Sequence, residues 1–173
     1  SYFRMLELGP EVQWRQPHWN KRLWELVDNG GKVIATLEHP SVWKRVYRVV
    51  FGDRILTFRS VGFWQSKMAI RDEATGVDVA EYRGVFGNAL GFKTGRVFLW
   101  QRRGFWKSAY YFTAADNEDV LTFKRAPRAF RTGAIVIISP SAYKYPEVPV
   151  LLAFGFYLMI QAAQQAAAAG AGA

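Results

Sequence analysis

Cysteine is absent, so any chemistry here falls to two histidines, scattered carboxylates and recurring aromatic–basic pairs. Without thiols there is no disulfide framework, thiolate metal site or cysteine nucleophile. Two histidines leave little room for a zinc site or a triad. His18 and His39 stand beside Pro17 and Pro40 in loop-like sequence, where a histidine is more often a surface residue than a catalyst. Most carboxylates fall in turns, where such side chains cap backbone N–H groups. Glu25, Glu38, Asp78 and Glu81 fall in strand-like sequence beside basic residues, and no two carboxylates stand out as a general acid and base.

Asp116, Glu118 and Asp119 offer oxygen ligands for calcium, but their loop lacks the central glycine and final glutamate of a calcium-binding loop. They read as an acidic hairpin turn. Gly84, Gly87 and Gly91 match neither a dinucleotide fingerprint nor a P-loop and read as a flexible loop. The expectation is a non-enzymatic protein with no cofactor and no metal.

Two clusters remain: Trp43-Lys44-Arg45 with Tyr47-Arg48, and Trp100-Gln101-Arg102-Arg103 with Phe105-Trp106-Lys107. Interleaved rings and cations can stack on single-stranded nucleic acid. They can equally sit at a membrane interface, with cations on anionic lipid. The simplest alternative is strand alternation, with aromatics turned inward and cations outward. For lipid binding the candidates are Lys44, Arg45, Arg48, Arg102, Arg103 and Lys107. A net charge of +9 at pI near 10.0 suits an acidic partner and also plain solubility. Nucleic acid is the less favoured partner, because the basic residues come in ones and twos. The densest stretch, Lys124, Arg125, Arg128 and Arg131, is broken by Pro127.

The elements that must position these residues are strands. The length of 173 residues suits one domain with a large core, and 16% aromatic content excludes a disordered chain. Period-2 alternation predicts strands at Val12–Gln16, Arg22–Val27, Lys32–Glu38, Trp43–Phe51, Arg54–Arg59 and Lys67–Arg71. Further strands are predicted at Val77–Arg83, Gly91–Lys93, Arg96–Arg102, Phe105–Thr113, Val120–Arg125 and Gly133–Ile138. Turn residues such as Asp28-Asn29-Gly30-Gly31 and Gly52-Asp53 link them as hairpins, so neighbours are antiparallel.

The C-terminal part differs. From Val148 to Ala173 there is no charged residue, and Val148 to Ile160 is apolar on every side of a helix that starts near Pro146 or Pro149. Such a helix must be surrounded by lipid or by protein. Spanning needs about 20 apolar residues, reached here only by counting Gln161, Gln164 and Gln165. A barrel of twelve strands is too wide for its own side chains to fill. The two oddities resolve each other if the helix runs through the barrel. The fold expected is therefore all-β with one helix, a closed antiparallel barrel of about 12 strands around a buried hydrophobic C-terminal helix. Residues 1–173 form a single domain, with strands over about 12–139, the helix over about 147–165 and a flexible Ala/Gly tail over 166–173.

The order of hairpin strands, the apolar strand Ala134–Ile138 and a hydrophobic helix resembles the tubby C-terminal-like superfamily, which includes LURP-one-related proteins and phospholipid scramblases. Thr75-Gly76-Val77-Asp78-Val79-Ala80, Gly95-Arg96-Val97-Phe98-Leu99-Trp100 and Gly104-Phe105-Trp106 look like small bacterial members, and the likeness covers about Trp14 to Gln165. The resemblance implies the closed barrel around a central helix but delivers no single function. Its tubby branch binds phosphoinositide head groups through basic residues outside the barrel. With the +9 charge, the expectation here is a binding or scaffolding role on anionic phospholipid head groups through a basic outer surface. It carries no head-group residue across by position. The lipidated cysteines of the scramblase branch have no counterpart here. Two alternatives stay open: a lipocalin-like carrier of a small apolar ligand, and a tail-anchored membrane protein. The polar start, with Ser1 first and Met5 an in-frame start, has no secretory h-region. The expected compartment is the cytoplasm, peripheral at the membrane.

Overall fold

The computed structural model describes residues 8–41, 44–61, 67–84, 87–104, 109–126 and 133–171. The strands are β1 (Glu11–Arg15), β2 (Leu23–Val27), β3 (Val33–Glu38), β4 (Val46–Phe51), β5 (Arg54–Ser60) and β6 (Lys67–Asp72). They continue with β7 (Val77–Arg83), β8 (Ala89–Phe92), β9 (Val97–Arg103), β10 (Ala109–Thr113), β11 (Asp119–Arg125) and β12 (Ala134–Ile138). Each pairs antiparallel with its neighbour in sequence, and β1 pairs with β12 through Val12 opposite Val136, which closes the barrel. Closure removes the exposed edges that an open sheet of this size would present.

Alternation sets the two surfaces. In β5, Leu56 and Phe58 are fully buried while Thr57 and Arg59 alternate with them on the outer side. Register shifts at Leu26/Val27, Ile70/Arg71 and Phe112/Thr113 interrupt the ladders, and such bulges tighten the curl of a sheet. The turn between β10 and β11 achieves its reversal without glycine, using Asp116 (φ 60°) and Asn117 (φ 58°), residue types that tolerate the left-handed region.

After β12 the chain makes a 3-10 turn, Pro140–Lys144, and then enters the barrel as α1 (Val148–Ala171). The end where α1 begins is the lower end of the barrel; α1 runs towards the upper end. Val148, Val150, Leu151, Leu152, Phe154 and Phe156 are buried on all sides, against Trp14, Phe58, Phe98, Phe112 and Phe123 of the wall. The interior that a carried ligand would need is thus occupied by the chain's own helix. By length and composition alone Val148–Gly170 could cross a membrane, and its first half lies inside the barrel.

Three expectations change. The helix does not stop at 165: it continues to Ala171 where a flexible tail was expected, because alanine has the highest helix propensity and solvent tolerates it. β4 begins at Val46, so Lys44 and Arg45 belong to the β3–β4 connection. β8 is Ala89–Phe92 rather than Gly91–Lys93, Lys93 being part of the turn into β9. Trp43, the predicted start of β4, and Phe105–Ser108, the predicted start of β10, lie outside the described residues.

Candidate functional site

A hairpin meander places alternate connections at opposite ends. The β3–β4, β7–β8 and β9–β10 connections share the upper end with β1–β2 and β11–β12. Candidates Lys44, Arg45, Arg102 and Arg103 therefore share the upper rim, with Arg48 two residues inside β4; Lys107 lies outside the described residues. The described side chains of these five are exposed.

Their partners divide them. Arg48 Nη1 donates to Glu38 Oε1 at 3.1 Å. Arg103 donates to Asp119 and lies over the Tyr111 ring, 3.9 Å from its centroid. Arg102 caps a layered stack, 5.2 Å above Tyr110, which in turn stacks on Trp100 at 5.1 Å. Lys44 and Arg45 have no carboxylate within ion-pair distance among the described residues, and both face solvent. A cation already paired must give up its partner to meet a new anion; a solvated one need not.

The connection that carries Lys44 and Arg45 is tied to the barrel mouth. Arg22 Nη1 donates to His39 Nδ1 at 2.8 Å, and His39 Nε2–H donates to the Lys44 carbonyl at 2.7 Å. These two bonds select the Nε2–H tautomer of a neutral ring. The imidazole stacks on Tyr47 at 4.4 Å with its plane 7° from parallel. Gln161 of α1 donates to the Tyr47 hydroxyl at 3.3 Å, and burial raises the ionisation of that hydroxyl above its ordinary range. His39 is thus a fastener between two rim connections and the helix. This role is not visible in its sequence neighbours.

Three exposed cations that spacing did not single out as site residues, Lys21, Lys124 and Arg125, stand on the same rim without a carboxylate in reach among the described residues. Lys124 lies opposite Ala109, which lies opposite Arg103, and Arg125 pairs with Ala134, opposite Trp14 of β1. The row therefore continues from β9 round to the β1–β2 connection. No acidic residue occurs among the described residues 16–22, 39–45, 83–88, 102–104 or 124–126. Trp19, 67% exposed, stands in this rim.

At the lower end carboxylates join the cations Lys32, Lys93, Arg96 and Lys144. Asp28, Asp53, Glu73, Asp116 and Glu118 occupy its turns, and Asp72 ends β6. In the acidic turn considered for calcium, Glu118 and Asp119 are engaged by protein donors. Glu118 accepts from the Tyr145 hydroxyl at 2.6 Å and from Lys144 at 3.1 Å, and Asp119 accepts from Arg103. The Tyr145 hydrogen bond, then Lys144, holds the Glu118 carboxyl below its ordinary range. The four strand carboxylates face cations as expected: Glu25 with Arg15, Glu38 with Arg48, Asp78 with Arg59 and Arg71, and Glu81 with Lys67 and Arg83.

No family model and no curated protein matches the chain. Among solved structures it is similar to the X-ray structure of a protein from Arabidopsis thaliana, at 10% identity and a TM-score of 0.48, over 86% of this chain and 93% of that one.

Proposed function

We propose that this chain is a non-enzymatic binding protein of the tubby-like kind that sits peripherally on anionic phospholipid membrane from the cytoplasmic side, through the basic rim at the upper end of its barrel. The observation that carries the reading is that Lys44 and Arg45 have no carboxylate within ion-pair distance among the described residues, in a rim whose described connections hold no acidic residue. Near an anionic bilayer each Lys or Arg contributes about 1 kcal/mol, and the field reaches about 8 Å at physiological salt. Lys44, Arg45, Lys21, Lys124 and Arg125 together therefore suffice for reversible attachment without a lipid anchor. Arg48 and Arg103 contribute less, since Glu38 and Asp119 already neutralise them. The filled interior favours this reading over a carrier, whose ligand would compete with α1 for the same space.

Co-sedimentation with vesicles tests it. The protein pellets with phosphatidylcholine vesicles that contain phosphatidylserine and stays in solution with phosphatidylcholine alone. Equal pelleting with both, or with neither, sinks the reading.

A further inference from the structure

The same end of the barrel that carries the basic rim also releases the helix. Residues 148–160 of α1 are enclosed, apart from a partly exposed Leu158; beyond Gln161 the helix leaves the wall, and residues 164–170 are exposed. At 1.5 Å rise per residue, the stretch from Gln161 to Gly170 projects by roughly 14 Å. It is built of alanine, glutamine and glycine and contains no charge, as does everything after Glu147. An exposed protein surface normally carries charge, so an uncharged rod standing inside a ring of lysines and arginines is a distinctive arrangement.

From this we infer that the barrel docks end-on: the upper pole faces the anionic bilayer, and residues 164–170 of α1, with Trp19 of the same end, enter the head-group layer. The inference rests on the membrane reading above and adds its geometry. Charge complementarity selects the orientation. The lower end mixes Asp28, Asp53, Asp72, Glu73 and Asp116 with Lys32, Lys93, Arg96 and Lys144, whereas the described upper connections hold no carboxylate, so anionic lipid is drawn to the upper pole in preference to the lower. A side-on approach would bring only part of the rim within a Debye length, whereas end-on contact brings Lys21, Lys44, Arg45, Lys124 and Arg125 to the surface together. The absence of charge on the projecting segment lets it follow without taking an ion out of water. Trp19, an amphipathic ring, belongs at head-group depth.

The lack of native cysteine makes the test direct, because one introduced thiol is the only labelling site. Ala168→Cys, on the projecting helix, and Ala74→Cys, in the exposed β6–β7 turn at the lower end, are each labelled with an environment-sensitive fluorophore. With phosphatidylserine-containing vesicles the label at 168 shifts to the blue and is quenched by spin-labelled lipid, while the label at 74 is unchanged. In addition, Ala168→Asp weakens vesicle binding about five-fold or more, the equivalent of one charge at the surface, and Ala74→Asp leaves it unchanged. Vesicle pelleting with a silent label at 168, or with a signal at 74, overturns end-on docking and leaves the membrane reading standing. Failure to pellet with anionic vesicles overturns both. A shift at 168 that grows with protein concentration in the absence of vesicles assigns the segment to a second copy of the chain, and also overturns the inference.

Discussion

A single carboxylate shows how the lower end is fixed. Glu147, one residue before α1, is 6% exposed, and both its oxygens accept from Arg96 Nη1 at 2.8 Å. Thr94 Oγ1 adds a longer contact at 3.5 Å, and Arg96 also lies over the Tyr145 ring, 5.1 Å from its centroid. A carboxylate this enclosed is costly when unpaired, so the pair acts as a clasp between the β8–β9 turn and the start of the helix. Arg96→Ala leaves Glu147 buried with only a weak donor, and is expected to cost about 2–3 kcal/mol, read as a drop in the urea midpoint. Arg96→Ala with Glu147→Gln in the same chain recovers most of the loss, because the charge is gone. If the single variant is as stable as the parent, the clasp has no energetic role. By contrast, exposed pairs such as Lys67 with Glu81 are worth at most about 1 kcal/mol each.

Among the elements, α1 depends on close fit rather than on polarity. It has no polar face to set its rotation, so the wall does so with shape and a few hydrogen bonds, the most enclosed of them from Trp14. Trp14 Nε1 donates to the Leu152 carbonyl at 3.0 Å, and its ring stacks on Phe156 at 5.0 Å, 3° from parallel. From β11, two strands round the wall, Phe123 presses onto the backbone at Gly155. A Cβ there would lie 2.4 Å from its Cζ and under 3 Å from two neighbouring ring atoms. Gly155→Ala would gain about 1 kcal/mol of helix propensity but must displace a fully buried ring in a wall with no slack, at about 1–3 kcal/mol. The net expectation is a lower thermal midpoint for Gly155→Ala. The smaller side chain of Phe123→Leu should make Gly155→Ala less harmful in the double variant than in the parent. Additive losses would show that Phe123 is not what Gly155 accommodates. Glycine within a helix is usually a weakness, and sequence alone gives no sign that this one is the receiving half of a contact with a strand some thirty residues upstream.

For the molecule as a whole, the period-2 pattern and the chargeless C-terminus made the barrel and its central helix legible, since each depends on local alternation or its absence. Which cations are free was not legible. Arg48 and Glu38, or Arg103 and Asp119, meet only through strand register, and the tie from Arg22 through His39 to the Lys44 carbonyl needs two connections to converge. The signal that could have found Lys21, Lys124 and Arg125 lies in the meander itself: sorted by alternate connection, the described acidic residues of the turns all fall to the lower end, beside Lys32, Lys93, Arg96 and Lys144, while the charged residues in the upper connections are basic. A net charge of +9 hides this, because it averages an end whose described connections are basic with an end of mixed charge. The distinction has a measurable consequence. Lys44→Glu and Lys93→Glu change the net charge equally, both sites are exposed, and neither lysine has an ion-pair partner among the described residues, but Lys44 is on the upper rim and Lys93 in the lower β8–β9 turn. If attraction to anionic vesicles came from net charge, the two would weaken it alike. With attraction concentrated at the upper pole, Lys44→Glu lowers the vesicle association constant about ten-fold or more, while Lys93→Glu, held beyond a Debye length from the lipid, changes it less than about two-fold. The gap between them narrows as salt is raised, and equal losses at low salt would refute a polar barrel.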